Sequence, residues 1–157
     1  MKTTFIQKLI TIFWKQNSWH RHGVLIHTLK VTWWSIKDWS YKMIPAWLLH
    51  DIWKPSTSTR DDTKELSFSF HWHEEKSYQI IKNIPFISEY TKKLVRWHYL
   101  IRWISKAKEK SLDSKRSDKD RKHWDSEYIR QQEVWKKLDE NFKKDLALFL
   151  KYDDYWK

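Results

Sequence analysis

The sequence predicts an all-α protein, and two observations carry that expectation. Apolar residues recur at i, i+3, i+4 and i+7 along nearly the whole chain, the spacing that lines one face of a helix. The chain is also 157 residues long, with 32% charged and 40% hydrophobic residues. That length gives one ordinary domain with a real core, and that composition is too apolar for a disordered chain. No internal repeat is visible, so a single domain over 1–157 is expected.

Phe5, Leu9, Ile12 and Phe13 mark a first helix, with residues 1–19 forming that helix and its lead-in. Gly23 opens a second, which carries Val24, Leu25, Leu29 and Val31. A third, over about Tyr41 to Ile52, carries Met43, Ile44, Leu48 and Leu49. Lys54 to Ser69, rich in Ser, Thr and Asp, reads as a loop. Helices resume at Glu74 to Lys82 and at Ile87 to Ile101, with Pro85 between them. The segment 105–122 alternates in charge, with eight Lys or Arg against four Asp or Glu. It reads as a solvated loop or frayed helix rather than a nucleic-acid arm. Helices over about Asp125 to Leu138 and Phe142 to Asp154 close the chain.

Composition narrows the chemistry. No cysteine is present, which excludes disulfide scaffolds, zinc ribbons and thiol catalysis. No run of 18 apolar residues exists, so no membrane span is expected. Lys8 interrupts the apolar stretch of the first helix and no small-residue cleavage site follows. A signal peptide is therefore not expected, and the cytoplasm is the expected compartment. The net charge of +11 favours anionic partners such as nucleotides or RNA. Lysine written across the surface by an AT-rich genome accounts for the same excess.

Ionisable residues stand on faces that the apolar stripe reserves for hydrophobic ones. Val24, His27, Thr28 and Val31 share a face of the second helix. Met43, Ala46, Trp47 and His50 share one on the third, and Asp51 follows. Leu94, Val95, His98 and Ile101 share another, as do Leu146, Phe149, Leu150 and Asp153. A lone histidine on such a face is commonly a satisfied core residue. A carboxylate there is harder to dismiss, because burying an unpaired charge is expensive. Three histidines and two aspartates converging from separate helices have a common solution in a divalent metal.

These residues also carry a family resemblance. Leu48-Leu49-His50-Asp51-Ile52-Trp53-Lys54-Pro55 resembles the LLHDIGKP signature of HD-domain metal-dependent phosphohydrolases, with tryptophan in the place of glycine. Gly23 to Leu29 resembles the segment holding that family's first histidine ligand. His71-Trp72-His73-Glu74-Glu75 is similar to its HGHE element, and Leu94-Val95-Arg96-Trp97-His98 to its LVRxH element. Leu150 to Lys157 is similar to the terminal LxxADxxGK. Five elements in order, over roughly residues 20–157, resemble the HDIG subtype, including the HD domain attached to some bacterial CCA-adding enzymes. No nucleotidyltransferase head accompanies them.

The resemblance implies a helical bundle around a central metal site held by His27, His50, Asp51 and Asp153. Asp154 competes with Asp153 for the last place, and periodicity favours Asp153. The implied cofactor is a divalent ion, one of manganese, iron, cobalt, nickel, zinc or magnesium. A metal-activated water would attack phosphorus in line. His73 and His98 stand where two-metal members place extra ligands. In one-metal members such histidines contact phosphate or donate a proton to the leaving oxygen, which is the role preferred here. Lys54 and Arg96 are the implied cations for the transferring phosphoryl group, with ordinary surface cations as the alternative. His71 is a weaker candidate, His20 and His22 are peripheral, and His123 reads as loop. The implied substrate is a phosphomonoester or phosphodiester of a nucleotide or RNA. The alternative is a weak or inactive module that binds nucleotide or RNA.

The chain has thirteen tryptophans and one glycine, where average usage gives about 11 glycines. Trp53, Trp72 and Trp156 stand where the family has glycine. Position 53 ends a helix two residues before proline, where a left-handed glycine cap is expected. Trp19 and Trp39 also fall at turn-like places. One explanation is a UGA codon that its own lineage reads as glycine and that has been written here as tryptophan. The other is a tryptophan-rich protein with a stacking surface.

Overall fold

The computed structural model describes residues 23–38, 40–54, 58–61, 67–70 and 72–155. The first expected helix, His20, His22, His71, Trp19, Trp39 and Trp156 lie outside the described residues. The fold is all-α apart from one two-stranded pair, and its chain divides into two compact units, residues 1–96 with 151–157 and residues 97–150.

In the first unit, α1 runs over Val24–Lys37. One face buries Val24, His27, Val31 and Ser35, while Leu25, Leu29 and Trp33 face outward. A 3-10 turn at Tyr41–Met43 leads into α2, Ile44–Leu49, whose first turn holds Pro45 at no cost in hydrogen bonds. Met43, Ala46 and Trp47 are fully buried. After Leu49 the backbone turns, with the Ile52 N–H donating to the Leu49 carbonyl (3.3 Å) and that of Lys54 to Asp51 (3.0 Å).

The expected left-handed cap at Trp53 is absent. Among the described residues positive φ occurs at Trp72 alone, with φ 61°. The turn after α2 closes without positive φ, so position 53 does not require glycine.

The expected loop over 54–69 contains structure. β1, Ser58–Asp61, pairs antiparallel with β2, Ser67–Phe70, in the register Ser58 to Phe70 and Asp61 to Ser67. The alternation Ser67-Phe68-Ser69-Phe70 has the period of two that a strand favours. Beyond it lie α3, His73–Ile81, and α4, Glu89–Trp97. The Ser88 hydroxyl accepts from the Thr91 N–H at the start of α4 (3.1 Å). The expected helix over Ile87 to Ile101 is therefore two helices, the second being α5, Leu100–Leu112.

In the second unit the expected loop or frayed helix over 105–122 is also replaced by order. α5 continues to Leu112, and α6 occupies Asp118–Lys136. Ser117 caps α6 by accepting from the Asp120 N–H (3.2 Å). His123 thus stands on a helix, exposed. α7, Glu140–Tyr155, ends the described chain. Leu100, Ala107, Phe142, Leu146 and Phe149 form the buried apolar set of this unit. No helix among the described residues is long and apolar enough to cross a membrane.

Candidate metal centre

The first unit gathers buried His27, His50, Asp51 and Asp153 at one place. His27 projects from the inner face of α1 and has no solvent exposure. His50 follows the buried residues of α2, one turn beyond Trp47, and Asp51 opens the turn after it. Asp153 comes from the last turns of α7, beside the buried Tyr152. His27 Nε2 lies 3.0 Å from Asp153 Oδ1, and His50 Nε2 lies 3.2 Å from Asp51 Oδ2 and 3.7 Å from Asp153 Oδ1. The His27 and His50 rings are tilted against each other with centroids 5.8 Å apart.

Neighbours fix these side chains. His50 Nδ1 donates to the Trp47 carbonyl at 2.7 Å, which directs Nε2 toward the two aspartates. The Trp47 ring stands edge-on to both His50 and Tyr152. The Tyr152 hydroxyl in turn bonds Asp38 at the end of α1. From α3, the Ser77 hydroxyl donates to the His50 carbonyl at 3.0 Å.

Electrostatic coupling dominates the cluster. Burial alone would push the His50 imidazole down, but Asp51 and Asp153 overcome it and hold the group at about 9. Burial would push Asp51 up, and the cations of His50 and Lys54 hold it well below the ordinary carboxylate range instead. Asp153 is depressed in the same sense, with His27 and His50 overcoming its burial. The two carboxylates are anions at neutral pH, balanced by an imidazolium and an ammonium.

The donor set fits a divalent ion. Ligand atoms of His27, His50 and Asp51 all lie within 4.8 Å of one another, and all three residues are buried. An ion with bonds of about 2.1 Å requires neighbouring ligand atoms about 3.0 to 3.4 Å apart. The measured separations of 3.0, 3.2 and 3.7 Å lie close to that range. Imidazole nitrogens with carboxylate oxygens, without thiolate, suit manganese, iron, cobalt, nickel or zinc.

The remaining candidate residues fall in different settings. Lys54 is buried and points inward, its Nζ 2.5 Å from Asp51 Oδ2. His73 is buried at the start of α3 with Nε2 3.4 Å from Asp51 Oδ1. Arg96 is partly exposed, donates from Nε to Glu75 Oε2 at 3.0 Å and lies over the Tyr78 ring. His98 belongs to the second unit, where it is buried against the rings of Phe149 and Tyr99. Asp154 is exposed, as the helical period implies.

Sequence reasoning passed over Glu74 and Ser77, both buried. A signal for Ser77 existed: His73, Ser77 and Ile81 form an i, i+4, i+8 stripe, and a serine on a buried stripe needs a partner.

No curated protein and no solved structure matches the chain. The HD domain model matches residues 41–139, which include His50, Asp51, His73 and His98. His27 and Asp153 lie outside that segment, and the fold itself brings them to His50. The match spans more than half of the sequence around a buried His–Asp cluster, so the chain belongs to the HD domain family, whose members are metal-dependent phosphohydrolases.

Proposed function

We propose that this protein hydrolyses a phosphomonoester or phosphodiester of a nucleotide or RNA, with a divalent ion held by His27, His50, Asp51 and Asp153. The observation that carries the reading is the buried cluster itself: His27, His50 and Asp51 offer ligand atoms within 4.8 Å of one another, and Asp153 Oδ1 lies 3.0 Å from His27 and 3.7 Å from His50. When bound, the ion supplies Lewis acidity and an activated water. Asp51 and Asp153 contribute negative charge to hold it. The Trp47 carbonyl keeps the His50 ring turned with Nε2 inward. Lys54, already within the site, is the cation assigned to the phosphoryl charge. His73, against Asp51, is the group assigned to proton donation to the leaving oxygen. His98 receives its role, phosphate contact or proton donation, from sequence resemblance. Arg96, which donates to Glu75 and lies over the Tyr78 ring, is the second cation assigned to the phosphoryl charge, with an ordinary surface cation as the alternative. The basic net charge supports an anionic substrate.

The HDIG subtype and the recoding of tryptophan codons are part of the same reading. Trp72 supports recoding, because its left-handed backbone is one that glycine adopts without strain. UGG codons at positions 53, 72 and 156 would end that idea. The function is tested by phosphatase and phosphodiesterase assays with manganese, nickel or cobalt added, on the chain as written and with glycine at 53, 72 and 156. Turnover with one of these ions is expected. RNA binding without turnover under every ion overturns the enzyme in favour of a binding module.

A further inference from the structure

The cations of the second unit are held in two different ways. Arg116, Arg121, Arg130 and Lys143 each pair with a carboxylate three or four positions away. Along α5 the partners are aromatic rings instead. The Arg102 guanidinium lies 4.7 Å from the centre of the Tyr99 ring, Lys106 Nζ 5.1 Å from that of Trp103, and Lys110 Nζ 3.8 Å from that of Trp124 on α6. Tyr99 and Trp103 meet edge-on with centroids 6.5 Å apart. Among the described residues no carboxylate lies within ion-pair distance of Lys106 or Lys110. A ring holds a cation through its quadrupole and brings no charge of its own, so this face stays positive. α5 carries Arg102, Lys106, Lys108 and Lys110 against Glu109 alone. The surroundings of Lys110 reflect that excess: partial burial and the cations of Lys106 and Arg116 push its ammonium down, and Asp120 and Glu109 do not offset them.

We propose that this face, from Tyr99 to Lys110 along α5 with Trp124 of α6, is a docking surface for single-stranded RNA. Residues 99, 102, 103, 106 and 110 stand three, four, seven and eleven positions from one another's start, so they share one side of the helix. The alternating charges of 105–122 look evenly solvated in sequence. The helix sorts them, setting Lys106 and Lys110 on the ring-bearing side and Lys108 on the other. Rings interleaved with cations offer a single strand both things it can use: stacking for unpaired bases and positive charge for phosphates. A duplex hides its bases and an acidic peptide has nothing to stack, so neither engages both halves. From Tyr99 to Lys110 the face runs about 16 Å, room for about five nucleotides at roughly 3.4 Å each in a stacked strand. Glycine is disfavoured inside helices, so the recoding argument for positions 53, 72 and 156 does not extend to Trp103 and Trp124. Every residue of the surface belongs to the second unit, and none is a proposed metal ligand. The choice of RNA rests on the reading of RNA as the substrate class.

The test is fluorescence anisotropy of a labelled single-stranded oligouridylate with the full chain over a range of salt, with EDTA present so that no turnover consumes the probe. The same label on an oligouridylate–oligoadenylate duplex, on a deoxy strand and on polyglutamate supplies the competing partners. The single RNA strand is expected to bind more tightly than the duplex or polyglutamate. Lys106→Gln with Lys110→Gln should weaken it and lower the slope of log affinity against log salt by about 1.4, two phosphate contacts at about 0.7 each. Trp103→Leu should weaken it about 5- to 150-fold, the worth of one stacked base, with the slope kept. Circular dichroism checks that both variants keep their helix content. Arg130→Ala, which removes a cation already paired with Glu127, should weaken it far less. Equal binding of the duplex or of polyglutamate overturns the proposal, as does an affinity that the lysine pair variant leaves unmoved. A deoxy strand bound more tightly than the RNA overturns the assignment to RNA. None of these readouts needs hydrolysis. If the strand binds through this face and no ester is hydrolysed under any added ion, the phosphohydrolase reading fails and the docking surface stands. If turnover is found while the strand ignores this face, the docking surface fails and the phosphohydrolase reading stands.

Discussion

In residues 1–96 and 151–157 the described ionisable groups that matter are inside: His27, His50, Asp51, Lys54, His73, Glu74 and Asp153 are all less than 8% exposed. In residues 97–150 the charges stay outside, with buried His98 as an exception. There Arg116 pairs with Asp113 and Asp120, Arg130 with Glu127, and Lys143 with Glu140, each three or four positions apart on the surface. α6 has no buried residue at all. Opposite charges at similar distances thus do different work. Inside, water cannot replace a lost partner, so each group depends on the others. Outside, water and salt stand in for any partner removed.

Removing a buried partner is the severest way to test that contrast. Asp51→Ala leaves Lys54 and His50 facing a low-dielectric interior, and loss of one partner from a buried pair costs about 3–5 kcal/mol. Urea unfolding of the metal-free protein should show it. His50→Ala combined with Asp51→Ala should abolish metal uptake, and unchanged metal content by elemental analysis would sink the ligand assignment.

Proton linkage offers a milder test on the same unit. His50 at about 9, against 6.5 when unfolded, binds its proton more tightly in the folded state. Its contribution is complete below pH 6.5 and is lost as the pH rises to about 9. Asp51 and Asp153 act in the opposite sense, contributing fully above pH 3.8 and losing that contribution as the pH falls lower. The urea midpoint of the metal-free protein should therefore drop between pH 6.5 and 9. In His50→Gln this component of the drop should vanish.

Smaller still is a backbone change. Trp72 holds φ 61°, and a residue with a Cβ pays roughly 1–2 kcal/mol there. Trp72→Gly should raise stability by about 1 kcal/mol after the greater freedom of unfolded glycine is counted. A lowered melting temperature would contradict it. The least effect is expected from Arg130→Ala in the second unit, on the order of 0.3–0.5 kcal/mol and weaker in high salt. A loss of several kcal/mol there would erase the contrast between the units.

The buried site was legible because it violates the apolar stripe. His27 between Val24 and Val31, and His50 after Met43, Ala46 and Trp47, are polar residues at positions the helical period assigns to the core. Asp153 was separable from exposed Asp154 by the same period. The segment 105–122 was misread for the complementary reason. α6 packs along α5 but turns no residue fully inward, so periodicity had little to report, and its start is marked by the Ser117 cap. The strand pair at 58–61 and 67–70 is short and lies in a Ser/Thr/Asp-rich stretch that carries turn signals. At position 53 local rules called for positive φ, but the turn closes through ordinary backbone angles. Glu74 was invisible because a glutamate at a helix start has an ordinary explanation, and burial alone excludes it.

The His27–Asp153 contact spans 126 positions of sequence. During synthesis, α1 leaves the ribosome long before the residue that completes its partner set exists. The earlier part of the chain must hold a histidine, and the His50–Asp51 turn, ready for a carboxylate that arrives more than a hundred positions later. Closing so large a loop is entropically unfavourable, though each doubling of its length adds only roughly 0.6 kcal/mol. A cation gripping both ends would offset that cost and tie the earliest described helix to the latest. Cation capture would then be completed only once α7 has been made, because Asp153 is the last of the four proposed ligands in the sequence.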